Sequence, residues 1–225
     1  MRLSLIGLFL ALPLLAACST PAAPAPTPQA TRQATTPSAS PAARKQYASA
    51  PPMTIDRTKQ YFAVLHTTDG TIRVHLFASE DPVTVNNFVF LARDHFYDGV
   101  KFHRIIKGFM VQTGDPLGTG AGGPGYRFQD ETVTRDYKPG IVAMANSGPN
   151  TNGSQFFIMH GDYSGRLPKN YSIFGKVVQG METVNKIATA ETTMGGDGAM
   201  SKPLKPVKIV SVKIERVGGG KAAKR

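Results

Sequence analysis

Cysteine occurs once in this chain, at position 18, and tryptophan does not occur at all. A lone cysteine cannot close an internal disulfide, so the fold must rest on its apolar core. The five histidines, at positions 66, 75, 95, 103 and 160, include no His-Glu-x-x-His pair. With the only thiol near the N-terminus, neither a metal nor any other cofactor is expected. Nucleophilic hydrolysis is poorly served: Gly161-Asp-Tyr-Ser164-Gly165 misses a nucleophile elbow by one position and sits among turn residues. Residues 118–123 do spell GxGxxG, but Pro116 precedes them and Pro124 follows where a helix would have to begin. Glycines at that density read instead as a flexible surface loop and a candidate wall of a binding groove.

Acidic residues are scarce too, 15 against 26 Lys and Arg, for a net charge of +11. Most of that excess lies outside the core, because residues 59–217 hold 18 basic and 14 acidic side chains, a net of +4. No stretch alternates basic and aromatic residues as a nucleic-acid groove would, so no nucleic-acid partner is expected. The basic tail, residues 218–225, suits weak attraction to anionic lipid or envelope polymers.

No apolar run is long enough for a membrane-spanning helix. The run at residues 3–15, preceded by Arg2 and followed by Ala16 and Ala17, has the form of a secretory signal peptide over residues 1–17. Leu15-Ala16-Ala17-Cys18 resembles the bacterial lipobox, which implies cleavage before Cys18, its acylation, and anchorage to a bacterial membrane in the cell envelope. An ordinary signal peptide with an incidental cysteine is the alternative. Residues 18–58 are dominated by Pro, Ala, Thr, Ser and Gln, and are expected to be a disordered linker. Such a composition favours extended conformations, and some forty residues give a reach on the order of 50 to 100 Å. A spacer and a stretch with no reach requirement both fit.

Short strands dominate the expected core, residues 59–217. Residues 61–67 and 71–77 alternate apolar and polar side chains around Asp69-Gly70, a hairpin signal. Similar runs occur at 100–106, 109–113, 141–145, 156–160, 172–178 and 207–217, which points to a barrel or a sandwich. Two segments have helical spacing instead. After Asp81-Pro82, a cap and first-turn pair, Val85, Phe88, Val89 and Ala92 share one face of residues 82–93. Residues 181–188 place Val184, Ile187 and Ala188 in the same way.

Two segments carry the chemistry: FHRIIKGFMVQ at 102–112 and MANSGPNTNGSQFF at 144–157. Each sets polar groups able to bind a peptide (Arg104, Gln112, Asn146, Gln155) beside bulky apolar residues able to hold a small ring (Phe109, Met110, Phe157). That mixture suits a proline and its flanking amide. Together with LPKNYSIFGKV at 167–177, these segments resemble the cyclophilin family of peptidyl-prolyl isomerases, in the family's order and near its spacing over residues 60–217. The resemblance implies a closed eight-stranded antiparallel β-barrel capped by two α-helices, acting as a monomer on proline-containing polypeptides.

By the same resemblance Arg104 is the catalytic arginine. Phe109, Met110, Phe157 and Leu167 form the proline pocket, Gln112 and the backbone of Asn146 hold the peptide, and Ala145, Gln155 and Tyr171 complete the groove. Read without the family, the apolar members are ordinary core residues. His103, next to Arg104, has two readings: a group that polarises the substrate, or, favoured here, a ring that satisfies a local hydrogen bond. The chain departs from the family pattern at several points: it lacks the tryptophan that many members place just before Leu167, Arg166 stands near there, and Tyr171 stands where many have His. The leading reading is an isomerase that assists exported proteins. A proline-peptide binding or chaperone-like module with incidental turnover is the second.

Overall fold

The computed structural model describes residues 45–218. The expected signal peptide, Cys18, the first part of the linker and the tail beyond Gly218 lie outside the described residues. Among the described residues the order is β1 (Gln60–Thr67), β2 (Gly70–Leu76), α1 (Pro82–Arg93), β3 (Arg104–Ile106), β4 (Met110–Thr113), β5 (Ile141–Met144), β6 (Phe156–Met159), β7 (Ile173–Gln179), α2 (Met181–Ala188), β8 (Thr192–Met194), β9 (Met200–Pro203) and β10 (Ile209–Val217). Every expected strand and both helices are present. The β8–β9 hairpin was not expected.

Eight strands form one antiparallel sheet in the order β10-β1-β2-β7-β5-β6-β4-β3. The expected closed barrel is corrected here, since β3 and β10 end the sheet and share no ladder. The sheet is a curled half-barrel whose ends meet through the loop entering β3. Gly99 N–H donates to Ile209 O at 2.7 Å, Ile209 N–H to Val100 O at 2.8 Å and Phe102 N–H to Val207 O at 3.0 Å. A single bridge, Lys101 with Lys208, accompanies them. The strand itself is too short to extend this contact into a ladder.

Both helices bury the faces their spacing marks out: Val85, Phe88, Val89 and Ala92 in α1, and Val184, Ile187 and Ala188 in α2. Capping of α1 differs from expectation. Asp81 occupies the N-cap position but its side chain makes no cap bond. Glu131 reaches over instead, its two carboxylate oxygens accepting from Val83 N–H at 3.0 Å and Thr84 N–H at 2.8 Å. An anion therefore still sits at the positive end of the helix, but it is delivered from a distant loop. At the start of α2, Gly180 has φ +92° and its missing Cβ would lie 2.2 Å from Thr71 O, so only glycine lets the helix start against β2.

The main core lies between α1, α2 and the inner face of the sheet. Phe88 packs on Tyr97 and Phe156 with centroids 5.2 and 5.4 Å apart. The expected linker boundary at residue 58 is also corrected, because residues 45–58 include several anchors. Ile55 is buried. Asn86 Oδ1 on α1 accepts from Thr54 N–H at 2.8 Å. Tyr47 sets its ring 5.1 Å from Phe90 and donates its hydroxyl to Asp94 at 2.6 Å. Three large apolar side chains in fourteen residues, Tyr47, Met53 and Ile55, are too few for a compositional signal, yet Tyr47 and Ile55 each meet a preformed surface.

Candidate active site

Strand register builds the site. Arg104 on β3 pairs with Gln112 on β4, Gln112 with Phe157 on β6, and Phe157 with Ala143 on β5. Residues paired across neighbouring strands share a face, so these four stand in one row. A parallel row two residues along holds Ile106, Met110 and Met159. The residues between them, Ile105, Val111, Ile158 and Val142, point the other way into the main core.

The outward face carries its own apolar cluster. Met110, Ala143, Phe157, Met159, Ile141, Ile173 and Tyr137 are buried there, with Phe109, Ala145, Leu167 and Tyr171 partly buried around them. The proposed ring pocket thus divides in two. Met110 and Phe157, 1% and 5% exposed, are its floor, while Phe109 and Leu167 present surface. Tyr171 packs edge-on against Phe157 at 5.7 Å, and its backbone is held by the Tyr137 hydroxyl, which donates to Tyr171 O at 3.0 Å. The structure adds Tyr163, which the sequence reading passed over. Its ring lies 4.5 Å from Phe109 and under the Arg166 guanidinium at 4.4 Å.

The polar members form a relay. Gln112 Nε2 donates to Gln155 Oε1 at 2.9 Å, and Gln155 Nε2 donates to Gly120 O and Gly122 O, each at 2.9 Å. The glycine-rich loop is therefore tied to the sheet. A second tie is Asp115, fully buried, whose carboxylate accepts from Leu117, Thr119 and Gly120 N–H at 2.7, 2.8 and 2.6 Å. Burial alone would raise that carboxyl's pKa, but the backbone donors outweigh it and hold it below the usual value.

Two cavities meet at Gln112. One, of about 660 Å³, is lined by the glycine-rich loop, Gln112, Ala145, Asn146 and Gln155. The other, of about 450 Å³, is lined by Arg104, Gln112, His103, Thr119, Asp197 and Ser201. Asn146 donates its side-chain amide to Asn170 O at 2.8 Å, so that side chain braces the neighbouring loop.

Arg104 is held from two sides. Its Nη1 lies 3.8 Å from Met110 Sδ, and its Nε donates to Asp197 Oδ2 at 2.6 Å. Asp197 belongs to the turn of the β8–β9 hairpin, and the Ser201 hydroxyl together with Arg104 lowers its pKa to about 2. Both ring nitrogens of His103 are buried without a partner of full hydrogen-bond geometry among the described residues, though the Lys101 backbone still acts on the ring in favour of its charged form. Burial pushes its pKa down and favours the neutral ring.

Comparison with known proteins agrees with this geometry. The family model "Cyclophilin type peptidyl-prolyl cis-trans isomerase/CLD" matches residues 62–214. The chain is 45% identical over 169 residues to the "Probable peptidyl-prolyl cis-trans isomerase A" of Mycobacterium leprae, covering 68% of this chain and 91% of that one. It is 50% identical over 128 residues to the "Peptidyl-prolyl cis-trans isomerase-like 3" of Gallus gallus, covering 55% of this chain and 79% of that one. A crystal structure of a Cryptosporidium parvum cyclophilin type peptidyl-prolyl cis-trans isomerase superposes with a TM-score of 0.63 at 36% identity, over 70% of this chain and 98% of that one. A charged donor beside a ring-sized apolar face, on a sheet shared with these relatives, leads to one assignment: the chain belongs to the cyclophilin family and is a peptidyl-prolyl cis-trans isomerase.

Proposed function

We propose that this isomerase turns Xaa-Pro bonds in exported, incompletely folded chains, with Arg104 as its catalytic residue and an acylated Cys18 as its membrane anchor. The observation that carries the catalytic part is the row Arg104–Gln112–Phe157, which sets a permanent cation and an amide beside an apolar floor. A Cryptosporidium parvum relative has been crystallised "in the presence of dipeptide ala-pro", which supports a proline peptide as the occupant.

The reaction demands little. Partial double-bond character makes the amide planar, and uncatalysed Xaa-Pro isomerisation takes tens to hundreds of seconds. In the twisted transition state the proline nitrogen regains a lone pair, and a donor aimed at it stabilises that state above either planar isomer. Arginine suits the task because its guanidinium stays charged at any working pH. The ring sits on Met110 and Phe157 between Phe109 and Leu167. Gln112 and the backbone of Asn146 hold the peptide on either side, restraining one half while the other turns.

Isomerisation of a short Xaa-Pro peptide by wild type and Arg104→Ala tests the mechanism. A loss of about 100-fold in kcat/KM, equivalent to about 2.7 kcal/mol, is expected. Equal rates would refute it. The anchor rests on residues 2–18 and the proline-rich stretch that follows, and the mass of the mature N-terminus decides it: an unmodified Cys18 would end that part of the proposal.

A further inference from the structure

We infer that Asp197, together with Ser201, is a positioning residue for Arg104, so that the β8–β9 hairpin is a working part of the site. The inference rests on the reading of Arg104 as the catalytic donor. An arginine on β3 stands on the last strand of the sheet, with no ladder beyond it to confine a long, flexible side chain. The hairpin supplies the missing wall.

Asp197 is itself fixed before it meets Arg104. Its Oδ1 accepts from the Ser201 hydroxyl at 2.7 Å and from Ala199 N–H at 3.2 Å, leaving Oδ2 for Arg104 Nε at 2.6 Å. Space for this arrangement depends on glycine: a Cβ on Gly195 would lie 2.3 Å from Ser201 Oγ and 2.7 Å from Asp197 Oδ1. With Nε engaged and Nη1 against Met110 Sδ, the planar guanidinium has its orientation set while its remaining N–H groups stay available to a substrate.

The contact cuts two ways. A carboxylate so close to the guanidinium also opposes its charge, so an anion that only neutralised Arg104 would slow catalysis, and removing it would speed the reaction. A positioning residue predicts the opposite sign.

Asp197→Asn in the full chain is expected to lower kcat about tenfold with KM for a short Xaa-Pro peptide changed less than about twofold. Combined with Arg104→Ala, the same change is expected to alter the residual rate less than about twofold, since no donor is left to aim. Ser201→Ala, which keeps the charge but frees the carboxylate, is expected to lower kcat about threefold and covers the case in which Asp197→Asn disturbs the hairpin. An unchanged or raised kcat in Asp197→Asn, or an equal loss with and without Arg104, would overturn the inference. Full activity in Arg104→Ala would instead remove the catalytic reading beneath it, so the two failures are distinct.

Discussion

Asp81 gives the structure a pH dependence that can be isolated by one substitution. The residue is 6% exposed at the start of α1. Burial, then the neighbouring Glu131 and Glu80 carboxylates, raise its pKa from 3.8 to about 7. Glu131 has taken over the capping role, so Asp81 has the burial without the hydrogen bonds that would favour its charge. Below about pH 4 both folded and unfolded chains carry the proton. Between about pH 4 and pH 7 the folded chain keeps a proton that the unfolded chain has lost, so stability falls as pH rises, by about 1.4 kcal/mol per pH unit. Across the window the loss approaches about 4 kcal/mol, and it is complete above pH 7. Asp81→Asn removes the titration and keeps the shape. Urea unfolding of both proteins from pH 3.5 to pH 8 should therefore give equal stabilities at the acid end and a widening advantage for the variant toward pH 8. With m near 2 kcal/mol/M, the midpoint difference at pH 8 should be about 2 M. A difference between variant and wild type that stays flat over this range would refute the assignment, whatever the other groups contribute.

Gln155→Ala cuts the tie between Gln112 and the glycine-rich loop, so KM for a peptide extending several residues before the proline should rise about threefold to tenfold with kcat nearly kept. An unchanged KM would show that Asp115 alone holds the loop. Tyr47→Ala strips the ring contacts with Phe90, Phe96 and Tyr126 and the bond to Asp94. A stability loss of about 1 to 3 kcal/mol in urea is expected, and none would show that residues 45–58 only lie on the surface.

What could be read from the chain depended on how local the signal was. Arg104, Gln112 and Phe157 lie in two compact segments with distinctive neighbours, and register alone brings them together. Asp197 shares no segment with them. Its one clue was Asp197-Gly198, the same dipeptide signal that marked the β1–β2 turn at Asp69-Gly70, with Gly198 at φ +73° in the structure. Flanking strands of three and four residues gave no alternation to accompany it. Tyr163 and Glu131 escaped for a related reason: both sit in loops, where nothing periodic reports which way a side chain points. The neighbours left His103 equally ambiguous.

The strands β5 and β6 show why an apolar run can reveal a strand and conceal a site. All four residues of each are buried, so neither alternates and neither announces a solvent face. A sheet covered on one side only would have left Ala143, Phe157 and Met159 as polar positions. Here the second face is covered by the long segments between strands, from which Val133, Tyr137, Tyr163, Leu167 and Tyr171 fold down onto it. This second layer has the composition of a core and the location of a surface. A proline ring needs such a place: apolar enough to hold it, shallow enough to reach, and bordered at the sheet edge by a charge that remains in contact with water. Had the ladder run on from β3 to β10 as a closed barrel, another strand would stand beside Arg104. The open edge leaves that space to the hairpin carrying Asp197, and to the cavity that Arg104 and Asp197 line together.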